Sequence, residues 1–219
     1  MCSHYEAVKN PITLASHFKI NLVPEGSKSD LWPGYMGLFI RNQVGDQSFE
    51  DHNVIELMIG SFGLIPHWAT DTKIARNTYN ARSETVAEKP SYRDAWKSGQ
   101  RCIIPADAIY EPDWRSGKAV PAKISRADGK PMGIAGLWSV WKSPKGELVH
   151  SYTMLTINAD DHPLMKQFHK PADEKRMVVI LGEDQHQEWL NTSTSKCINL
   201  LKALPADLLR AESKQTQLI

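Results

Sequence analysis

The stretch RCIIPADAIY, residues 101–110, is long enough and apolar enough to be a strand, and similar runs follow it at short intervals. They are AVPAKISR (119–126), MGIAGLWSVWK (132–142), ELVHSYTMLTI (147–157) and RMVVILG (176–182). All are rich in Val, Ile, Thr or aromatic residues, the side chains that fit a pleated surface. Turn signals separate them: RSGK (115–118), ADGK (127–130) and SPKG (143–146), the last of hairpin type. A mainly antiparallel sheet is the economical reading.

Upstream, YMGLFIR (35–41) and VIELMI (54–59) read as strands, and the polar NQVGDQSFEDH between them as a linker. Asn10-Pro11 before ITLASHF reads as the N-cap and first position of a short helix. Residues 24–34 are loop-like, and Pro66 breaks LIPHWATD (64–71). Thr85 and Glu88 have capping-box spacing, with Pro90 close behind, and SYRDAWK (91–97) reads as a second short helix. Downstream, EDQHQEWL (183–190) and KCINLLKAL (196–204) read as helical. No repeat or low-complexity segment interrupts the chain. The expected architecture is α+β: a single domain over residues 1–219 with a curved, barrel-like sheet flanked by short helices.

Composition bounds the function. The 219 residues carry 41% hydrophobic and 23% charged side chains, which suits a globular protein with a sizeable core. No window reaches the apolar length of a membrane helix, and no basic-then-apolar leader opens the chain. Cys2, Cys102 and Cys197 are odd in number and far apart, which argues against a disulfide framework and for a reducing cytoplasm. No CxxC or HxxxH pair suggests zinc, and no cofactor motif is present. A net charge of +1 excludes a strongly basic nucleic-acid protein but leaves room for a local basic groove. Seven tryptophans suggest core packing, with some available as stacking platforms.

Four places carry reactive groups. Removal of Met1 would leave Cys2 as a 1,2-aminothiol, whose α-amine and thiol titrate near about 8 and about 8.5 in model compounds. The amine suits attack on an aldehyde, with the thiol closing a thiazolidine. The thiol alone suits attack on an acyl carbon with the amine as base. Idle Cys2 in a frayed terminus is the bland alternative. In NTYNARSET (77–85), Asn80 and Arg82 would share one side of an extended segment. Arg82 offers a fork suited to phosphate, or simply a surface charge. In IPADAIYEPDW (104–114), Glu111 sits between a tyrosine and a tryptophan, where partial desolvation would raise its pKa and suit it to acid–base work; an exposed turn acid is the simpler alternative. In HPLMKQFHKPADEKRMVVIL (162–181), His169 or His162 is placed for proton transfer, and Arg176 for pairing with Asp173 or Glu174.

Taken in order, several stretches resemble the SOS response-associated peptidase (SRAP) family: the initial Met-Cys, GLIPHWA (63–69), NARSET (80–85), IIPADAIYEPDW (103–114), AGLWSVW (135–141), LTINADDHPLM (155–165) and FHKPADEKRMVVIL (168–181). The resemblance implies a sensor and processor of abasic sites in single-stranded DNA. It forms a thiazolidine crosslink through Cys2 after Met1 removal, with lyase and autoproteolytic peptidase activity. It implies that Asn80 lies beside the linkage, that Glu111 and His169 serve proton transfers, and that Arg82, Trp68 and His67 contact DNA. It implies no metal or other cofactor, no membrane, no obligate protein partner, and a cytoplasmic location on the nucleoid when damaged DNA is bound. Ser3-His4 stands where the family has Gly-Arg, which removes one phosphate contact, Phe62 stands where it has Trp, and its YNxxP stretch is hard to recognise in residues 20–34. An N-terminal cysteine hydrolase, peptidase or amidotransferase-like, would share Cys2 without DNA. A non-catalytic nucleic-acid binding module would use Trp68 and Arg82 and leave Cys2 idle.

Overall fold

Residues Arg101–Asp113 form one strand that pairs with four others. The computed structural model describes residues 2–21, 28–43 and 54–213. Within them the strands are β1 (His4–Ala7), β2 (Asp30–Leu31), β3 (Met36–Asn42), β4 (Ile55–Phe62), β5 (Asn80–Arg82), β6 (Arg101–Asp113), β7 (Val120–Arg126), β8 (Met132–Lys142), β9 (Leu148–Asn158), β10 (Arg176–Val178), β11 (Ile180–Leu181) and β12 (Leu209–Ser213). The helices are short: α1 (Pro11–Phe18), α2 (Arg93–Lys97), α3 (His186–Asn191) and α4 (Thr194–Cys197). None of the described helices is long and apolar enough to cross a membrane.

Five strands close a barrel in the order β6–β8–β9–β4–β3 and back to β6. Every pairing in that ring is antiparallel except β4 with β9. The α+β, single-domain, barrel-like expectation holds. Side-chain alternation divides two cores across the barrel wall. Cys102 and Ile104, Ile134, Tyr152 and Met154, Phe39 and Phe62 join one cluster that also holds Cys2 and Tyr5. Their neighbours Ile103, Leu137, Leu155, Leu38 and Ile40 join a second cluster with Leu14 and Phe18 of α1, Trp96 of α2 and Trp189 of α3. Both faces of these strands are therefore covered, which is why RCIIPADAIY reads as a continuous apolar run. Each fully buried Leu, Ile or Phe contributes about 1.5–3 kcal/mol by leaving water. The indole of Trp189 also donates to the Cys102 carbonyl at 2.9 Å, fixing α3 to β6.

Asn10 caps α1 as expected, its Oδ1 accepting from the Ile12 and Thr13 amides. The glycine turns at 115–118, 127–130 and 143–146 join consecutive strands β6 to β9. Other local readings differ. The Thr85 carbonyl accepts from both Glu88 and Lys89 amides at 3.0 Å, making turns rather than a capped helix, and the helix starts only after Pro90. KCINLLKAL holds the end of one α-turn and a 3-10 turn (Ile198–Leu200) rather than one helix. Residues 30–31 pair with β1 instead of looping, while 22–27 and most of the 42–52 linker (44–52) lie outside the described residues, as does Met1. The short strands β1, β5 and β12 carry no strand signal of their own and exist through their pairing.

Gly63 turns the chain off β4 into LIPHW. Its φ is +118°, and a Cβ there would collide with the Ala75 backbone carbonyl. The turn is then pinned by Thr78, whose hydroxyl donates to the Leu64 carbonyl at 2.6 Å, and by the Ile65 amide donating to the Ser151 hydroxyl at 2.8 Å. Gly63→Ala is expected to cost about 3 kcal/mol or more, since it adds both backbone strain and an unrelievable backbone clash. A urea midpoint equal to that of the parent chain would refute this account of the turn.

Candidate active site

β1 brings Cys2 into the barrel mouth by pairing His4 with Tyr110 and Tyr5 with Ile109 of β6. Cys2 is 1% exposed and belongs to the barrel core cluster. Its thiol donates to the His4 carbonyl at 3.3 Å. Burial first, then the nearby Glu111 carboxylate, push the thiol pKa far up, so the sulfur holds its proton at neutral pH.

Asn80 comes from β5, which lies parallel to β9 with Asn80 opposite Met154. Its Nδ2 donates to the Cys2 carbonyl at 2.7 Å. The Tyr92 hydroxyl donates to the Asn80 carbonyl at 2.9 Å and fixes the strand. The Asn80 Oδ1 is buried and accepts no hydrogen bond among the described residues. A buried acceptor in that state costs about 1–3 kcal/mol.

Glu111 lies on β6 at 1% exposure, and burial pushes its pKa up to about 7. His169 follows Phe168, which bridges to Asp113 at the end of β6, and the His169 amide donates to the Pro112 carbonyl at 2.8 Å. The backbone at His169 is left-handed, φ +64°, a strained state for a residue with a side chain. The imidazole is thereby aimed at Glu111, Nε2 to Oε2 3.2 Å, and also lies 3.3 Å from the Arg176 carbonyl. A carbonyl needs a donor, so Nε2 carries the hydrogen. Burial pulls the His169 pKa down to about 4, which keeps the ring neutral at pH 7. The same Nε2–H faces the Glu111 carboxyl, so the neutral ring donates toward it and orients it, while Nδ1 is left as the ring's acceptor.

Four expected residues, Cys2, Asn80, Glu111 and His169, thus converge. Tyr79 joins them: its hydroxyl pKa is raised by burial and by the charges of Cys2 and Glu111, and its ring packs edge-on to Phe62. The only sequence hint to Tyr79 is its place next to Asn80. Arg82 sits at the margin, with its side chain 48% exposed and bonded to Glu174 at 2.8 Å. Arg176, 3% exposed, is the buried partner of Glu84 and Glu174, not of Asp173, and donates to the Thr156 carbonyl. His162 is structural: its Nδ1 accepts from the Leu164 and Met165 amides and its Nε2 bonds the Leu204 carbonyl at 2.8 Å. Trp68 and His67 ride an exposed turn, with polar contacts to Pro90 and Asp94 rather than to the four.

A buried cysteine at position 2 held by an asparagine, beside a carboxylate and a strained histidine, fits the motifs of one family. The sequence profile described as SOS response associated peptidase (SRAP) matches residues 1–217. The chain belongs to the SRAP family. Among curated SRAP relatives, the abasic site processing protein YoqW of Bacillus subtilis is 38% identical over 154 residues, 68% of this chain and 65% of its own. The abasic site processing protein HMCES of Gallus gallus is 27% identical over 157 residues, 62% of this chain and 45% of its own. The matched stretch thus spans less than two thirds of these relatives. A crystal structure of a Bordetella bronchiseptica protein superposes with a TM-score of 0.86 at 45% identity, covering 97% of this chain and 99% of that one. A Bacteroides thetaiotaomicron protein at 21% identity shares the fold, with a TM-score of 0.80 over 97% of this chain and 91% of that one.

Proposed function

We propose that this SRAP chain processes abasic sites in single-stranded DNA by forming a covalent crosslink through Cys2 once Met1 is removed. The observation that carries the reading is the convergence of Asn80, Glu111 and His169 on the one residue that can present an amine and a thiol on adjacent carbons. The order of steps follows from protonation. The thiol is held neutral, so the α-amine attacks first, adding to the aldehyde carbon of the ring-opened sugar. The carbinolamine then loses water to give an imine, with Glu111 in its acid form supplying the proton to the departing hydroxyl. The Cys2 sulfur adds to the imine carbon and its proton passes to the nitrogen, closing a thiazolidine. One water leaves overall and nothing is oxidised. At the imine stage the protons on the neighbouring sugar carbon are acidified, which accounts for a lyase side reaction. Asn80 holds the Cys2 backbone while the ring closes, and Arg82 serves the phosphate once it leaves Glu174.

The test mixes methionine-free protein with a single-stranded oligonucleotide carrying one abasic site. A denaturing gel should show a retarded species, and its mass should equal protein plus DNA minus one water. The chain that keeps Met1 should give none, since its amine is on the wrong residue. No adduct from methionine-free protein, together with ammonia release from glutamine or cleavage of a peptide reporter, would replace this reading with an N-terminal cysteine hydrolase.

A further inference from the structure

His4, whose carbonyl receives the Cys2 thiol, is the middle layer of a three-ring column. Its imidazole lies 4.2 Å from the Trp32 ring on one side and 4.2 Å from the Tyr110 ring on the other, with interplanar angles of 10° and 8°. The column follows from strand register: Tyr5 pairs with Leu31 and His4 with Tyr110, so Trp32 arrives over His4. It is locked laterally. His4 Nε2 lies 3.1 Å from Asp30 Oδ1, and the Tyr110 hydroxyl donates to Glu6. The outer layer, Trp32, is 44% exposed.

Trp32 opens a rigid turn. The Tyr35 amide donates to the Trp32 carbonyl at 2.9 Å, and Gly34 between them has φ +89°, as a type II turn requires. The Gly34 amide donates to the Phe62 carbonyl, and the Phe62 amide to the Tyr35 carbonyl at 2.8 Å, which ties the turn to β4. Tyr35 and Met36 are also exposed, and the Lys28 ammonium lies 4.0 Å from the centre of the Tyr35 ring. A preorganised aromatic face beside a cation, backed by two further rings of which the nearer, His4, lies two residues from Cys2, has the makings of a base-stacking platform. A protein-docking patch would instead need a broad apolar face, and this one is narrow and flanked by Lys28 and Asp30.

We propose that Trp32, at the head of the Trp32–His4–Tyr110 column, stacks an unpaired nucleobase next to the abasic residue. The proposal rests on the abasic-site reading and adds to it how this chain grips the strand where the family's arginine is replaced by His4. Stacking is nearly independent of salt, whereas an arginine–phosphate contact is not.

The probe is a single-stranded oligonucleotide carrying tetrahydrofuran, an abasic analogue without an aldehyde, with 2-aminopurine on one or the other side of it. Binding to the wild-type chain should quench the fluorophore at one of the two positions. Trp32→Ala should abolish that quenching and weaken binding roughly 5- to 150-fold with an unchanged salt slope. Trp32→Phe should restore most of both, which separates stacking from misfolding. Equal affinity and quenching in wild type and Trp32→Ala overturn the proposal. Adduct formation by the wild-type chain on a true abasic oligonucleotide reads the underlying function separately. Adduct without Trp32-dependent quenching overturns the platform alone, and neither adduct nor binding overturns both.

Discussion

Cys2→Ser, freed of Met1, is expected to lose every adduct that survives heat and denaturant, while keeping one that borohydride can trap. The α-amine is untouched by the substitution, so the imine still forms and a hydride can reduce it. What disappears is the second bond. A hydroxyl adds to an imine far less readily than a thiol, and the ring it forms reopens in water. The sulfur's advantage is amplified because closure is intramolecular, where effective concentrations of about 10⁵ M or more are reached. The unreduced adduct is therefore expected to fall at least ~10²-fold on a heated denaturing gel. The fold should survive: the thiol gives up one hydrogen bond to the His4 carbonyl, which a serine hydroxyl can also make. Burying the more polar oxygen costs about 1–3 kcal/mol. A heat-stable, unreduced adduct in Cys2→Ser would place the covalent bond elsewhere, and loss of the borohydride-trapped species as well would show that the amine is not the first nucleophile.

Most of the barrel was legible in the sequence because strands such as β6 and β8 are buried on both faces, and a doubly buried strand announces itself by unbroken hydrophobicity. β8 is the clearest case, MGIAGLWSVWK being strand from its first residue to its last. The short strands were not legible for the converse reason. HYEA has no pattern of its own and becomes β1 only because the exposed edge of β6 offers hydrogen bonds to it. NAR becomes β5 through β9 in the same way. Cys2 and Asn80 are positioned by these two strands, so the convergence of the site could be anticipated through family resemblance but not through local propensity. Glu111 was half readable: its place between a tyrosine and a tryptophan suggested desolvation, but an exposed turn acid fitted the local sequence as well, and only the pairing of β6 buries it. His169 and His162 looked alike in sequence. Only the left-handed backbone at His169, which turns its ring to Glu111, and the fully bonded ring of His162 tell the two apart. The Trp32 column was invisible because it joins residues 4, 32 and 110 through register alone.

Glu111→Gln should make the chain slower and, above pH 7, more stable. The catalytic half follows from the proton the carboxyl gives during dehydration, a contribution typically of about 10²–10⁴ in rate. An amide of the same shape cannot supply it. The pH dependence of adduct formation near 7, set by the raised pKa of Glu111, should flatten in the variant. The stability half follows from the same shift. Burial raises this group from 4.5 to about 7, so the folded chain holds the proton more tightly than the unfolded chain does. Its favourable contribution is complete below pH 4.5 and is lost as pH rises through 7, a difference of about 3 kcal/mol. His169 acts in the opposite sense. Its pKa is depressed from 6.5 to about 4, so its contribution is present above pH 6.5 and is lost as pH falls through 4. The variant's amide carries no charge to bury, so denaturation midpoints should match the parent near pH 4.5 and exceed it at pH 8, while adduct formation at pH 7 drops. A variant that is less stable than the parent at pH 8 would mean that the ionised carboxylate is held by favourable partners in the fold. The proton carried by Glu111 at neutrality, and with it the acid step assigned to Glu111, would then be wrong.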